Sequence, residues 1–530
     1  MLLILSHLPF LARPFHIDDR IYLEISRQAA RSPLYPMDYA PLFEGKHAPD
    51  AASHTHPPLV SYLLALLRAV SGGENEILFH TIFLIFPFLL GLAAYLMVLE
   101  ARFPLLLALL VVWNPGIYVL SQSIMTDVPF LAFYALAIVL FWLGEEQGRD
   151  LRWPAAVALS LATMVNYLAL SAIPLLLAVL WLRRKPLLRL WPLLILPLAV
   201  FTGWVALQSF HHRRFILAAT GQFLTTEGHS QWFLFGQKLI SALLNLGAML
   251  GVVLLFHLNR LAQWIAWLLL AATGSLSTAL LAHWHWTHCL LLGVFLASGI
   301  LVVRDIFAGI HRRRPGAGPA LMWQIWAAGF LAACVFVFYH GSVRYVLPLL
   351  VPATLLLGTR SQWSKRRATA CLALTLLYAM ALAHADYQFA SIYPRIAQQV
   401  FESYPAQRVW IAGEWSFRYY MEKRGAQTMS REDQRPDKGD ILVKPYLAMP
   451  YVTGYDSDAY VDLLNREFVY PSTPIRLLDF SSHAGFYSTG WGILPWSIQV
   501  EHQPVEIFNV FRVKKRFQGS AQKLREDYFR

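Results

Sequence analysis

The sequence predicts a multi-span α-helical membrane protein with about 13 transmembrane helices, interfacial helices in its first external loop, and a small C-terminal α/β extracytoplasmic domain. Three observations predict that class. Apolar runs of spanning length recur from the start of the chain to about residue 388, and 57% of the 530 residues are hydrophobic. Only 14% are charged, against about 25% in soluble domains. The mean hydropathy is +0.45. The net charge of +12 does not point to nucleic acid, because the cations sit in short clusters between apolar runs. Arg183-Arg184-Lys185, Arg312-Arg313-Arg314 and Lys365-Arg366-Arg367 are the basic loops expected on the cytoplasmic side of a membrane.

The leader Met1 to Ala12 is apolar but shorter than the roughly 20 residues that cross a bilayer. It lacks the basic start and small-residue site of a cleavable signal, so the first span is truncated or tilted, or the true start lies upstream. Arg13 to Ile25 follows, a charged and helix-prone segment. Ile17, Ile21 and Ile25 share one helical face, with Asp18 and Tyr22 on a neighbouring one. Successive helical residues diverge by about 100°, so only one of Asp18 and Asp19 can aim squarely at a reacting centre. Read alone, the two acids are helix N-terminal residues that complement the dipole. A proline-rich loop leads to Ser53-His54-Thr55-His56-Pro57-Pro58, and 58–68 reads as a second interfacial helix closed by Gly72-Gly73.

Apolar spans are predicted at 77–100, 104–120 and 128–143, then from 186–208 to 368–388 in seven steps. The block 153–182 is long for one span and short for two. Asn166-Tyr167 and Pro174 inside it favour two short helices. Parity places the three basic clusters on one side of the membrane however this block divides, and the two-helix choice sets where Asp18 falls. Asp18, Asp127, His285, Arg344 and residues 389–530 then lie on the other. Arg213 and Arg214 violate the charge rule mildly. The domain division is thus 1–388, containing the external loop 13–76, followed by 389–530. In the latter, 408–413, 440–444 and 505–511 read as strands, and Glu414 to Arg424 as a helix stopped at Gly425. Cys289, Cys334 and Cys371 all lie in apolar spans and make no disulfide framework or zinc spacing.

Asp18 at a water–lipid boundary suits general-base work on a hydroxyl. Asp127 reads equally well as an N-cap with Pro129 just inside the helix or as a second site carboxylate. His54 and His56 are loop histidines or contacts to phosphate or metal. Arg344 begins a span, so it must either snorkel or meet an anion such as a lipid phosphate. His283-Trp284-His285-Trp286-Thr287-His288 reads as an interfacial belt before it reads as a metal site. Lys238 is among the few charges inside a span.

These residues, in this order, resemble the GT-C superfamily of polyprenyl-phosphate-sugar-dependent membrane glycosyltransferases, with bacterial family 39 proteins, protein mannosyltransferases and aminoarabinose transferases as the nearest likeness. Asp18-Asp19-Arg20-Ile21-Tyr22-Leu23-Glu24 is similar to the family's first external motif, which implies Asp18 as catalytic base and Asp19 as its partner. His56-Pro57-Pro58-Leu59, Met125-Thr126-Asp127-Val128-Pro129 and Arg344-Tyr345-Val346-Leu347-Pro348 resemble its second, acidic and late Arg-Tyr motifs. In the tail, Gly413 to Tyr420, Ala484 to Tyr487 and Trp491 to Pro495 resemble the family's C-terminal region. Asp19 stands where relatives carry Glu, and Asn166-Tyr167 where many carry Lys-Tyr, so a cation is missing there.

The resemblance implies an inverting transfer from a polyprenyl-phosphate sugar at the outer face of a bacterial cytoplasmic membrane. Catalytic roles fall on Asp18, Asp19 and Asp127, and donor-phosphate contacts on Arg344, Tyr345 and His56. A divalent cation is allowed, and the acceptor is a glycan, lipid or protein chosen through loop 209–231 and the tail. The competing readings are a lipid-linked sugar flippase, which would place ionisable groups at mid-membrane, and a membrane-anchored receptor whose tail acts alone.

Overall fold

A computed structural model describes residues 1–48, 50–52, 56–218, 232–308, 319–338, 341–431 and 436–517. The basic cluster 312–314, His54 and most of loop 209–231 lie outside the described residues. Among those described, nine helices are long and apolar enough to cross a membrane, from Glu76–Met97 to Lys365–Ser403. Shorter apolar segments add to them. The leader is the helix Leu2–His7 with a 3₁₀ turn Leu8–Phe10. The predicted span 104–120 is broken into Pro104–Val112 and Pro115–Leu120, with Asn114 capping the second piece through Gly116 N–H. The architecture is a multi-span helical protein with a small C-terminal sheet region.

The block 153–182 folds as two helices, Arg152–Val165 and Ala172–Leu182, joined by a 3₁₀ turn Tyr167–Ser171. Asn166 makes the break by leaving the helix for an extended conformation and accepting the Leu168 N–H. An ion pair from Arg183 to Glu146 (2.5 Å) and the rings of Trp153 and Trp191 (5.1 Å apart) gather 146–153 and 183–191 at one end of the bundle. Asp127 begins the helix that ends there, so it stands at the opposite end. Helix Val343–Arg360 runs the same way, from Arg344 to Arg360, and Lys365 to Arg367 follow at its far end. Arg214, which the charge rule disfavoured at the Asp18 end, pairs there with Asp50.

Helix Val343–Arg360 is the central post, with 78% of its spanning window buried. The helices Trp232–His257 and Trp286–Phe307 beside it approach through glycine. A Cβ on Gly247 would lie 1.8 Å from the Phe295 carbonyl oxygen, and one on Gly299 would lie 2.0 Å from that of Leu243. Such contacts let backbones pack closely where lipid supplies no hydrophobic drive between helices.

The tail beyond 403 builds a five-stranded sheet ordered 427–428, 409–411, 441–445, 506–513, 461–469. Strand Val409–Ile411 is parallel to both its neighbours, and the other pairings are antiparallel. The strand Val461–Val469 was not legible beforehand. It is an edge strand whose middle is exposed and charged, which blunts edge-to-edge association and hides the strand in the sequence. Helix Trp415–Lys423 leaves the sheet and packs on the segment 13–76. Glu414 is buried and accepts from the Glu44 N–H (2.8 Å) and from Arg20 (3.0 Å). Tyr419 donates to Glu74 and Tyr420 to Glu76, at 2.8 and 2.7 Å.

Candidate active site

The site is assembled by the starts of three helices that come together at one end of the bundle. Asp18 precedes helix Asp19–Arg31 as its N-cap, yet its side chain makes no capping bond. The carboxylate instead accepts from Arg344 Nη1 at 2.7 Å. Asp127 is the first residue of helix Asp127–Gln147, behind an N-cap at Thr126, and also makes no cap. Its Oδ1 accepts from Arg344 Nε at 3.2 Å. Both acids stand at helix starts, yet their side chains cap neither helix and form a carboxylate–guanidinium–carboxylate bridge instead.

The bridge is accessible. Side-chain exposure is 25% for Asp18, 15% for Asp127 and 19% for Arg344. Two of the five guanidinium N–H donors are spent on the two acids, which leaves donors for an incoming anion. Asp127 Oδ2 is buried with no hydrogen-bond partner among the described residues. Tyr22, one turn along from Asp18, shares a hydrogen bond with Thr126 at 3.0 Å and ties the two acidic helix starts together. Burial, opposed by the charge of Arg344, pushes the Tyr22 phenol above its ordinary range.

Asp19 points elsewhere. It is 1% exposed, and its oxygens accept the backbone N–H of His16 (2.7 Å) and of Ile124 (3.0 Å). Burial pushes its carboxyl up to about 7 against the pull of Arg13 and of those two donors. Asp19 thus pins the Asp18 turn to the 121–127 loop and does not share the open space with Asp18. His56 is half-buried near the bridge. Burial lowers its imidazole, Arg344 lowers it further, and Asp127 and Asp18 oppose both. Tyr345 turns its ring onto Phe338, centroids 4.7 Å apart.

Among the described residues, no three His, Cys, Asp or Glu side chains gather as metal ligands. Between Asp18 and Asp127, where a divalent ion would bridge two carboxylates, stands the Arg344 guanidinium, so these residues do not fit a metal. The His283–His288 stretch is a belt in contact with the tail, where Trp284 stacks on His483 at 3.9 Å and His288 bonds the Ile498 carbonyl at 3.0 Å.

Lys238, Ser241, Arg13 and Asp386 are not among the candidate site residues read from the sequence. Lys238 is 6% exposed; its Nζ lies over the Phe235 ring at 5.9 Å and has no hydrogen-bond partner among the described residues. One turn further on, Ser241 lies against Gly341, three residues before Arg344. Asp386 and Arg13 form a buried ion pair close behind Asp18. A lone carboxylate in a predicted span was the available signal for Asp386. A cavity of about 530 Å³, lined by Glu24, Arg27, Tyr39, Arg418 and Glu422 among others, opens beside the later turns of helix Asp19–Arg31. It lies on the face turned away from Asp18, by the 100° step of the helix.

No family model and no curated protein matches the chain in sequence. Solved structures do match it. The ArnT of Cupriavidus metallidurans bound to undecaprenyl phosphate aligns with a TM-score of 0.49 and 13% identity, over 84% of this chain and 94% of that one. The oligosaccharyltransferase of Archaeoglobus fulgidus, tethered to an acceptor peptide containing the NVT sequon, gives 0.45 and 13% over 81% and 63%. The mycobacterial arabinofuranosyltransferase AftD gives 0.38 and 13% over 97% and 40%. The chain is similar to these structures in fold.

Proposed function

We propose that the protein is an integral-membrane glycosyltransferase that moves a sugar from a polyprenyl-phosphate donor to an acceptor hydroxyl, with inversion, at the outer face of the cytoplasmic membrane. The observation that carries this reading is the half-buried bridge Asp18–Arg344–Asp127 at one end of the bundle. It sets a candidate general base, a second acceptor and a cation with spare donors side by side. The basic loops 183–185 and 365–367 at the opposite bundle end support the outward placement of the site.

In this mechanism Asp18 takes the proton of the acceptor hydroxyl as its oxygen attacks the anomeric carbon. The bond from that carbon to the phosphate oxygen breaks, and the electron pair leaves with the polyprenyl phosphate. Negative charge grows on the departing group, so the free N–H groups of Arg344 are aimed where they stabilise the transition state more than the ground state. His56 and Tyr345 flank the same place. Asp127 Oδ2 orients a sugar or acceptor hydroxyl, and Asp19 acts as a pin for the base.

The test is reconstitution of the full chain in lipid nanodiscs with polyprenyl-phosphate sugars as donors and cell-envelope glycans, lipids and peptides as acceptors. Product analysis by mass spectrometry and anomeric NMR should show transfer with inverted configuration. Movement of the lipid-linked sugar between leaflets without transfer would replace the reading with a flippase.

A further inference from the structure

Behind Asp18 lies a second, fully buried polar cluster that the transfer chemistry does not use. Arg13 Nη2 pairs with Asp386 Oδ2 at 2.5 Å, and the Tyr487 hydroxyl donates to the same oxygen at 2.9 Å. Arg13 also reaches the Tyr487 oxygen at 3.4 Å, and His16 Nε2 stands 3.5 Å from Asp386 Oδ1. Exposure is 1% for Arg13, 0% for His16, 1% for Asp386 and 6% for Tyr487. The cluster joins three remote parts of the chain: the segment entering the first outer helix, the end of helix Lys365–Ala390, and the tail.

Stability does not explain it. A buried ion pair is a weak stabiliser compared with apolar packing of the same volume. This one is also incompletely satisfied, since Arg13 Nε and Nη1 and His16 Nδ1 have no hydrogen-bond partners among the described residues. Its neighbour in the chain suggests what it holds. Ile17, between His16 and Asp18, has φ +49, a left-handed conformation that a β-branched residue adopts only under constraint. Such strain persists where the surroundings over-determine it. On one side of Ile17 the His16 ring is locked in the cluster, edge-on to Phe389 at 5.2 Å. On the other side Asp19 is tied to His16 N–H and Ile124 N–H. Release of Ile17 to negative φ would rotate the Asp18 carboxylate away from Arg344.

We infer that Arg13, His16, Asp386 and Tyr487 are positioning residues that hold the strained His16-Ile17-Asp18 turn, so that the final span and the tail together set the aim of Asp18. The inference rests on Asp18 as general base. It also means that the membrane region alone lacks one arm of the clamp, because Tyr487 belongs to the tail.

Tyr487→Phe is the decisive variant, since it keeps the ring and removes only the hydroxyl. Asp386→Asn, Asp386→Glu and Arg13→Lys accompany it, all in the full chain in nanodiscs. The expected result is a fall in kcat of about 10-fold to 100-fold, the scale of small misplacement of a reacting group, with donor and acceptor KM within twofold. Hydrogen exchange of a peptide covering 14–19 should quicken in the same variants, and Asp386→Glu should recover part of kcat. Wild-type kcat and unchanged exchange in folded Tyr487→Phe overturn the inference, as does a loss of rate that only tracks loss of folded protein. Should the wild type transfer no sugar, the functional reading fails by itself, while the exchange readout still decides whether the cluster holds the turn.

Discussion

Asp18→Asn separates the chemistry from the fold most cleanly. The amide is nearly isosteric with the carboxylate, and its oxygen can still accept from Arg344 Nη1, now 2.7 Å away. What disappears is one negative charge and the ability to take a proton. The pair is partly exposed, at 25% and 19%, and Arg344 keeps Asp127, so the stability cost is about 1 kcal/mol or less. The chemical cost is far larger. A positioned general base contributes about 10²–10⁴ in rate, or about 3–5 kcal/mol of barrier. The expected outcome is kcat reduced by that factor, with donor KM little changed, and the protein inserted and abundant at wild-type level. The assay is transfer of labelled sugar from a polyprenyl-phosphate donor, normalised to protein quantified in the same nanodiscs. Transfer at the wild-type rate by Asp18→Asn would refute the reasoning outright.

Other expectations are independent of that one. Arg344→Lys supplies a single ammonium that cannot span two acids as the fork does. Loss of a transition-state donor of this kind costs about 2.7–4 kcal/mol, read as a fall in kcat/KM for the donor with acceptor KM little changed, and equal effects on both would mark Arg344 as structural. Glu414→Gln breaks the buried contact with Arg20, and loss of one partner of such a pair costs about 3–5 kcal/mol. Faster proteolysis of the 42–47 hairpin and of the tail should report it. Glu506, buried beneath the N–H groups of Tyr446, Leu447 and Ala448, is pushed by burial from 4.5 to about 7. A raised carboxyl contributes stability that is complete below its unfolded value and is lost as pH rises through about 7, about 3 kcal/mol in all. The stability advantage of wild type over Glu506→Gln, followed by thermal melts, should therefore shrink from pH 4.5 to 7.5. A pH-independent difference would exclude that role for Glu506.

Much of the membrane region was legible because its cause is local. Spans follow from apolar length, and the break at Asn166 follows from a polar, cap-forming residue inside an apolar block. In the tail, strands 409–411, 441–445 and 506–513 carried enough buried apolar residues to be seen. The charged edge strand Val461–Val469 did not. Asp18 and Asp127 each looked like an ordinary helix start, because cap propensity cannot tell a capping acid from one that only occupies the first turn. Asp19 was legible as an acid but not as a pin, since its partners are backbone N–H groups, one of them 105 residues away.

The sequence by itself determined that this chain crosses a lipid layer many times, with its basic loops gathered between apolar runs and its acids gathered at helix starts. Tertiary structure alone decided which charges meet. Arg344 is 326 residues from Asp18 and 217 from Asp127, and Arg13 finds Asp386 in the last span. Hydropathy is a sum over neighbours in the chain, whereas an ion pair depends on where remote helix ends come together in space, and nothing local records that.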